Sequence, residues 1–391
     1  AVMLLRFALK NLSGAGLRTA LNVAVLSLVF VAIVTTQGLL EGMNRQASRA
    51  MVDAEYGGGQ YWSPDFDPYD PLSYSQAQEA VPPELRDLVE RGAAVEELII
   101  QGTIYPEGRV YPVLIRGIDP GQDLLELPAH ALSDSAAEIP GLIGERMARS
   151  TGLGAGDSVT LQWRDRNGTF DARDVTIDEV MKTTVQSIDK GQIWVPIEVL
   201  RALTDRHGEA TLVVVRQGET DLPEVGGWSF KTVDYLLTDI HNLIMSKTLG
   251  SMIVYVILLF LAMLAVFDTQ MLSIFHRRKE IGTLMAMGLT RRQVTMLFTL
   301  EGALIGVFAA VLAFLYGGPA LLWLSRVGWR LPEKTDSYGF AVGEVLYPYY
   351  GPWLVVITTV ILLAVTTGVS YLPARRILRY RATEALQGKM L

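Results

Sequence analysis

Three glycines at alternating positions, Gly152, Gly154 and Gly156, come nearest to a phosphate-binding loop. Such a loop follows a strand and opens a helix, so that backbone N–H groups and the helix N-terminus converge on the anion. Here the order is reversed. Residues 143–150 read as a short helix that stops at Gly152, and 158–163 read as the strand that follows, so no nucleotide site is expected there. The chain has no G-x-x-x-x-G-K-[ST], H-E-x-x-H or G-x-S-x-G pattern, which removes the usual starting points for phosphoryl transfer, zinc hydrolysis and acyl transfer. It has no cysteine and only four scattered histidines (His130, His207, His241, His276), which excludes disulfides and thiolate sites and argues against a histidine metal cluster. One carboxylate stands out. Glu301 lies near the start of an apolar run, where an unpaired charge is costly, and is expected to be an intramembrane charge. Its position predicts a structural salt bridge or a coupling role with a basic loop residue ahead of any contact with substrate.

The elements that must carry these residues are largely apolar. Of 391 residues, 50% are hydrophobic, and the mean hydropathy is +0.28. Four stretches have the roughly 20 apolar residues that a bilayer core requires: 20–40, 250–267, 294–316 and 352–371. An apolar lead-in, 243–249, extends the second. The first is longer than a signal-peptide core and lacks an A-x-A exit, so it is expected to remain as an anchor. Charge placement gives an independent topology. Residues 1–19, 268–293 and 373–391 together hold 13 basic and 3 acidic side chains, out of totals of 34 and 41, and the remainder is strongly acidic. Short cytoplasmic segments carry excess Lys and Arg, so four spans with both termini inside account for the asymmetry. The basic groups lie at membrane boundaries with no recognition motif, which excludes nucleic acid as a partner.

About 200 residues separate the first two spans, enough for a folded domain. Its opening, residues 56–74, is rich in Gly, Pro, Asp and aromatics and predicts irregular structure. Residues 95–118 read as a hairpin turning at Glu107-Gly108, 193–203 as strand then helix, and 211–215 as a strand, which makes the domain mixed α+β. On the other side of the second span, Ile281, Leu284, Met285 and Gly288 fall at i, i+3, i+4 and i+7. This is one apolar face of a short helix that either lies on lipid or fills a groove on a soluble protein. Gly288 suits its end and Thr290 the N-cap of the next helix. Gly302 and Gly306 are spaced for close helix packing.

The stretch RRKEIGTLMAMGLTRRQ followed by FTLEG resembles the signature of FtsX/MacB-type (type VII) ABC transporter permeases. The C-terminal YLPARRILRYRATEAL resembles that family's closing motif, and the first 20 residues, with Arg6, Asn11, Leu12 and Arg18, resemble its cytoplasmic elbow helix. IPGLIGERMARSTGLGAGDSVTL, GIDP and VPIEVLRALT are most similar to the lipoprotein-releasing permeases LolC and LolE. The resemblance implies a non-enzymatic permease dimer, formed with a second copy or a paralogue, working with separate ABC ATPase subunits that bind ATP and Mg. No cofactor is expected in this chain itself. It further implies that Arg277, Arg278, Lys279, Glu280, Ile281, Gly282, Leu284, Met285, Met287 and Gly288 form a coupling helix seated in the ATPase groove. ATP-driven motion would then pass by mechanotransmission to the outer domain, for lipoprotein release or export. The alternatives are an FtsX-like scaffold that activates a cell-wall hydrolase and a MacB-like efflux or secretion permease.

The expected fold is a polytopic α-helical membrane protein of the bacterial inner membrane, with four transmembrane helices and a mixed α+β extracytoplasmic domain between helices 1 and 2. Its parts are a cytoplasmic elbow (1–19), helix 1 (20–40), a periplasmic domain with stalk (41–242), helix 2 (243–267), the coupling segment (268–293), helix 3 (294–316), a periplasmic loop (317–351), helix 4 (352–372) and a cytoplasmic tail (373–391). Membrane lipids are expected partners, and a periplasmic carrier, adaptor or lipoprotein is a further partner that the resemblance allows.

Overall fold

The computed structural model describes residues 6–11, 16–133, 137–330 and 345–379. The helices are α1 (6–11), α2 (Gly16–Met51), α3 (Pro83–Glu90), α4 (Glu145–Thr151), α5 (Gln186–Asp189), α6 (Ile197–Thr204), α7 (Val233–Leu236), α8 (Thr238–His276), α9 (Arg278–Ala286), α10 (Arg291–Val327) and α11 (Pro352–Ala374). The strands are β1 (Gln60–Trp62), β2 (Glu79–Ala80), β3 (Ala94–Ile104), β4 (Tyr111–Ile118), β5 (Pro140–Gly144), β6 (Ser158–Arg164), β7 (Phe170–Met181), β8 (Gln192–Pro196), β9 (Glu209–Ala210), β10 (Leu212–Val215), β11 (Ser229–Lys231), β12 (Trp329–Arg330) and β13 (Val345–Leu346). The described residues sort into a helical unit, within 6–43, 243–330 and 345–379, and an α+β unit, within 44–242.

In the helical unit, α2, α8, α10 and α11 are each long and apolar enough to cross a membrane. Their buried faces, including Leu26, Phe30, Val266, Ile305, Ala309 and Leu362, meet in one core, while the opposite faces stay apolar and exposed. Helices apolar all round are suited to lipid. Three helices outrun the spans read from the sequence. Helix α2 continues to Met51 and then opens into a π-turn, Val52–Tyr56, and α8 runs from Thr238 to His276. The third correction falls on the segment expected to be a loop from 317: α10 continues through Gly317, Gly318 and Pro319 to Val327. The apolar run 320–324 keeps it helical, and a Cβ at Gly317 would come within 2.6 Å of Val31, so glycine there lets α2 approach. The helix stops at Gly328, whose φ of 74° is left-handed. Of the expected elbow, 6–11 is helical while Arg18 already belongs to α2. Residues 331–344 of the expected loop and 380–391 of the tail lie outside the described residues, as do Leu12 of the elbow and the final part of the closing motif.

The α+β unit is organised by one nine-stranded sheet in the order β11-β1-β10-β3-β4-β8-β5-β7-β6. Strand β3 also pairs with β6, through Gly102↔Trp163 and Ile104↔Leu161, so six of the nine strands close into a barrel. Residues Ala94 to Glu97 of the same strand pair instead with β10 and carry the remaining strands as a wing. Inward residues at every second position fill the barrel: Leu98 and Ile100, Val113 and Ile115, Val159, Leu161 and Trp163, Val175 and Ile177, Ile193 and Val195. On the wing the same alternation sends Leu212 and Val214 to one face and Val213 and Val215 to the other, where α3 packs through Leu85 and Leu88.

The expected hairpin over 95–118, the strand at 158–163, the strand and helix over 193–203 and the strand at 211–215 correspond to β3–β4, β6, β8–α6 and β10. Two expectations need correction. Ile143 and Gly144 end β5, and the helix starts only at Glu145, because a buried five-residue apolar strand carries no periodicity that separates it from a helix. Gln60–Trp62, expected to be irregular, is a wholly buried strand held between β10 and β11.

Trp163 is the largest side chain sealed in the barrel, and its indole N–H donates to the Leu203 carbonyl at 3.0 Å. Trp163→Ala is expected to cost about 3–5 kcal/mol, read as a lower midpoint in chemical denaturation of the detergent-solubilised chain.

Candidate functional site

The element expected to couple to a partner is α9, with Arg277 as its N-cap at the corner where α8 ends. The Arg277 guanidinium sits 3.1 Å from both carboxylate oxygens of Glu301 on α10. Its Nε donates to Glu280 at 2.6 Å, and it stacks 5.1 Å above the Phe298 ring. Asn11 of α1 donates to Glu301 Oε1 at 2.6 Å. Glu301 thus ties three elements to α10: the elbow, the end of α8 and the start of α9. Its charge is compensated within the chain, so the geometry favours a structural salt bridge over a free intramembrane carboxylate. Sequence reasoning used Asn11 only as part of the elbow pattern; nothing in its spacing pointed to Glu301.

The C-terminal end of α9 is fixed by two local motifs. The Leu289 N–H bonds the Leu284 carbonyl and the Gly288 N–H the Met285 carbonyl, both at 3.1 Å, with Gly288 at φ 98°. This double bond pattern around a left-handed residue requires glycine. Two residues on, Thr290 and Gln293 form a reciprocal capping box that starts α10. A tight four-residue link, Met287 to Thr290, therefore separates α9 from α10.

The structure corrects which face of α9 is available. Ile281 and Gly282 are buried, and Leu284 and Met285 are largely covered, against Ile274, Val294, Phe298, Ala374 and Ile377 of the helical unit itself. The apolar periodicity therefore serves intramolecular packing, and Ile281 and Gly282 are not positioned to touch a partner. Arg277 is turned toward Glu301, and Arg278 stacks on Phe275 at 4.5 Å. The exposed strip is Lys279, Glu280, Thr283, Ala286, Met287 and Gly288, with Met287 67% exposed at its end.

Gly302 and Gly306 are buried on the face of α10 that meets α11. A Cβ at Gly302 would fall 1.8 Å from Ser370 Oγ, and one at Gly306 would fall 2.4 Å from Thr366 Oγ1. Both glycines therefore set the closest approach of the two helices.

A second charged site lies within the α+β unit and was not foreseen. Arg116 on β4 is almost wholly buried and donates to Glu97 on β3 at 2.6 Å and to Glu55 in the π-turn at 2.8 Å. It also lies 4.5 Å over Trp194. Glu55 in turn accepts from Ser187 at 2.9 Å. Burial lifts the Glu97 carboxyl above its ordinary 4.5, although the Arg116 guanidinium opposes the rise. The two glutamates hold the Arg116 guanidinium above its usual range despite its burial. The neighbouring Glu96 points the other way and pairs with buried Arg201 at 2.5 Å. The available signal was two acids inside an apolar strand run and an arginine between VLI and GI. In the irregular segment before β2, Tyr69 donates to Asp239 at the start of α8 at 2.5 Å, a bond that pushes the phenol up to about 12. Among the described residues no group of three or more His, Cys, Asp or Glu is placed to hold a metal.

With that geometry in hand, residues 252–382 match the family model described as the FtsX-like permease C-terminal domain. The matched region takes in α9 to α11 and most of α8, about a third of the chain. The chain is also 36% identical over 85 residues to the cell division protein FtsX of Bacillus subtilis (strain 168), over 21% of this chain and 27% of that protein. The matched stretch thus spans about a quarter of that curated relative. Among solved structures, the extracellular domain of the noncanonic ABC-type transporter YknZ from Gram-positive bacteria aligns over 47% of this chain and 94% of its own, with 17% identity and a TM-score of 0.28.

Three outcomes follow from the site geometry. Arg116→Met leaves Glu97 and Glu55 without their cation and is expected to destabilise the chain by about 3–5 kcal/mol. Because the folded Glu97 value lies above the unfolded one, the native state holds the extra proton between them, and Glu97 lowers stability as pH rises through that window from 4.5. Denaturation midpoints across that window should show this slope in the unsubstituted chain and lose it in Glu97→Gln. In the helical unit, Gly302→Leu forces α10 from α11 and should lower the melting temperature in detergent, whereas Gly250→Ala, with no atom near its Cβ, should not.

Proposed function

We propose that the chain is the membrane permease subunit of an ABC transporter, driven by a separate ATPase that docks on the exposed strip of α9. The observation that carries this reading is the placement of α9: inside the FtsX-like region, clamped to α10 by the Arg277–Glu301 pair, and presenting Lys279, Glu280, Thr283 and Met287 outward. A helix held this firmly moves α8 and α10 when it is pushed. ATP and Mg belong to the partner; this chain binds neither and carries out no hydrolysis. The functional unit is a permease dimer in the inner membrane, with the termini cytoplasmic and the α+β unit periplasmic, so that motion is transmitted and substrate does not cross the bilayer.

The substrate reading is lipoprotein release or export, supported by the LolC/LolE-like motifs at 117–120, 139–161 and 195–204. Those motifs fall on β4, β5–α4–β6 and β8–α6, where Ile143, Met147, Val159 and Leu200 fill the barrel. They therefore speak to the kind of outer domain before they speak to its cargo. A second reading, an FtsX-like scaffold that activates a cell-wall hydrolase, is favoured by the similarity to cell division protein FtsX.

Met287→Asp and Thr283→Arg change only the exposed strip. Each is expected to lower copurification of the ATPase at least about tenfold, the effect of losing about 1.4 kcal/mol at a contact, with the amount of inserted permease unchanged. Full ATPase recovery with both variants would refute docking at α9. The native absence of cysteine makes single probes at Asn167→Cys and Arg376→Cys unambiguous, and they should label from opposite sides of the membrane.

A further inference from the structure

A shallow groove of about 660 Å³ runs along the outer face of α11 to Thr299 of α10. Its floor is the stripe Val360, Ala364, Thr367 and Tyr371, with Gly368 beside it. These residues recur at four- and three-residue steps and share one helix face. That face is opposite the stripe Thr358, Leu362, Thr366 and Ser370, which is buried in the bundle. The two threonines do not make the floor polar. Thr299 Oγ1 donates to the Thr295 carbonyl at 3.0 Å and Thr367 Oγ1 to the Leu363 carbonyl at 2.6 Å, so both hydroxyls are bonded within their own helices.

Polarity appears only at one end of the groove. Tyr371 is 46% exposed, with no hydrogen-bond partner for its hydroxyl among the described residues. One turn further on the same face is Arg375, and two turns before Thr299 on α10 is Arg292. Both arginines are exposed, and neither makes an ion pair among the described residues. The antiparallel register of Gly302 against Ser370 and Gly306 against Thr366 brings Thr299 and Tyr371 to the same end, with Arg375 beside them. An apolar trough that ends in a phenol and two cations is complementary to a molecule with a hydrocarbon tail and an anionic head.

We propose that this groove is a binding site for an anionic phospholipid, with one acyl chain along Val360 to Tyr371 and the phosphate held by Arg375, with Arg292 alongside. Basic pockets between spanning helices recognise anionic headgroups in this way. Thr299 lies two residues before Glu301 on α10, on a different face, so an occupied site would brace the same end of the bundle. The inference rests on α10 and α11 crossing a membrane and is independent of the ATPase partner.

The test uses the full chain in nanodiscs containing phosphatidylglycerol and phosphatidylcholine. Phosphatidylglycerol with a photoreactive acyl chain should crosslink to the unsubstituted chain at Thr299 and within 360–371. In native mass spectrometry Arg375→Gln should retain about fivefold less phosphatidylglycerol, the factor for one arginine at an anionic surface, with phosphatidylcholine unchanged. Gly368→Leu is a second variant: among the described residues nothing lies within 4 Å of a Cβ there, so leucine enters the groove without displacing them, and phosphatidylglycerol retention should fall likewise. Crosslinks spread evenly over the four long helices, equal retention of the two lipids, or undiminished retention by either variant would overturn the proposal.

Discussion

The Arg277–Glu301 pair is the interaction on which the helical unit is organised. Glu301 is 8% exposed in its side chain and Arg277 22%. A carboxylate so placed in an apolar helix is sustained only by a fixed partner. Arg277 supplies that partner from a position where α8 must end and α9 begin, and Asn11 adds the elbow. The turn chemistry at Gly288 and Thr290 then leaves α9 almost no slack relative to α10. Electrostatics, a left-handed glycine and a capping box, each modest alone, define one stiff corner.

The α+β unit repeats that logic with different residues. Adjacent acids on β3 project to opposite sides, Glu97 to Arg116 and Glu96 to Arg201. The first pair reaches Glu55, which lies in the π-turn directly after α2. A π-turn widens the helix by one residue per turn and changes the direction in which its side chains project. Here it delivers a carboxylate to a buried guanidinium that already has one. Glu97 is wholly buried and its Oε1 has no partner among the described residues, so burial lifts that carboxyl, and the nearby Glu55 adds to the rise.

How much of this was legible in the sequence depended on the range of the interactions. Apolar length located all four long helices, and β-branched runs with turn residues located β3, β4, β6 and β10, because those signals are local. The Gly288 stop and Thr290 start were legible for the same reason. The amphipathic pattern of 281–288 was seen correctly, but its direction was not, since periodicity reports that a face is buried and not what buries it. Strands β5 and β1 were hidden, one by its continuous apolar run and the other by surrounding Gly, Pro and Asp. The partners of Glu301 lie 24 and 290 residues away and the acids around Arg116 lie 19 and 61 away, so both sets required the fold.

The double duty of β3 has a mechanical corollary. Its first four residues belong to the wing and its last seven to the barrel, with no break in the strand. A hinge needs residues whose backbone torsions can change without breaking hydrogen bonds, and none exists between the two halves of this strand. A pull on the wing is therefore delivered undamped to the barrel wall. The α+β unit can translate or rotate only as one piece, like a lever cut from a single plate.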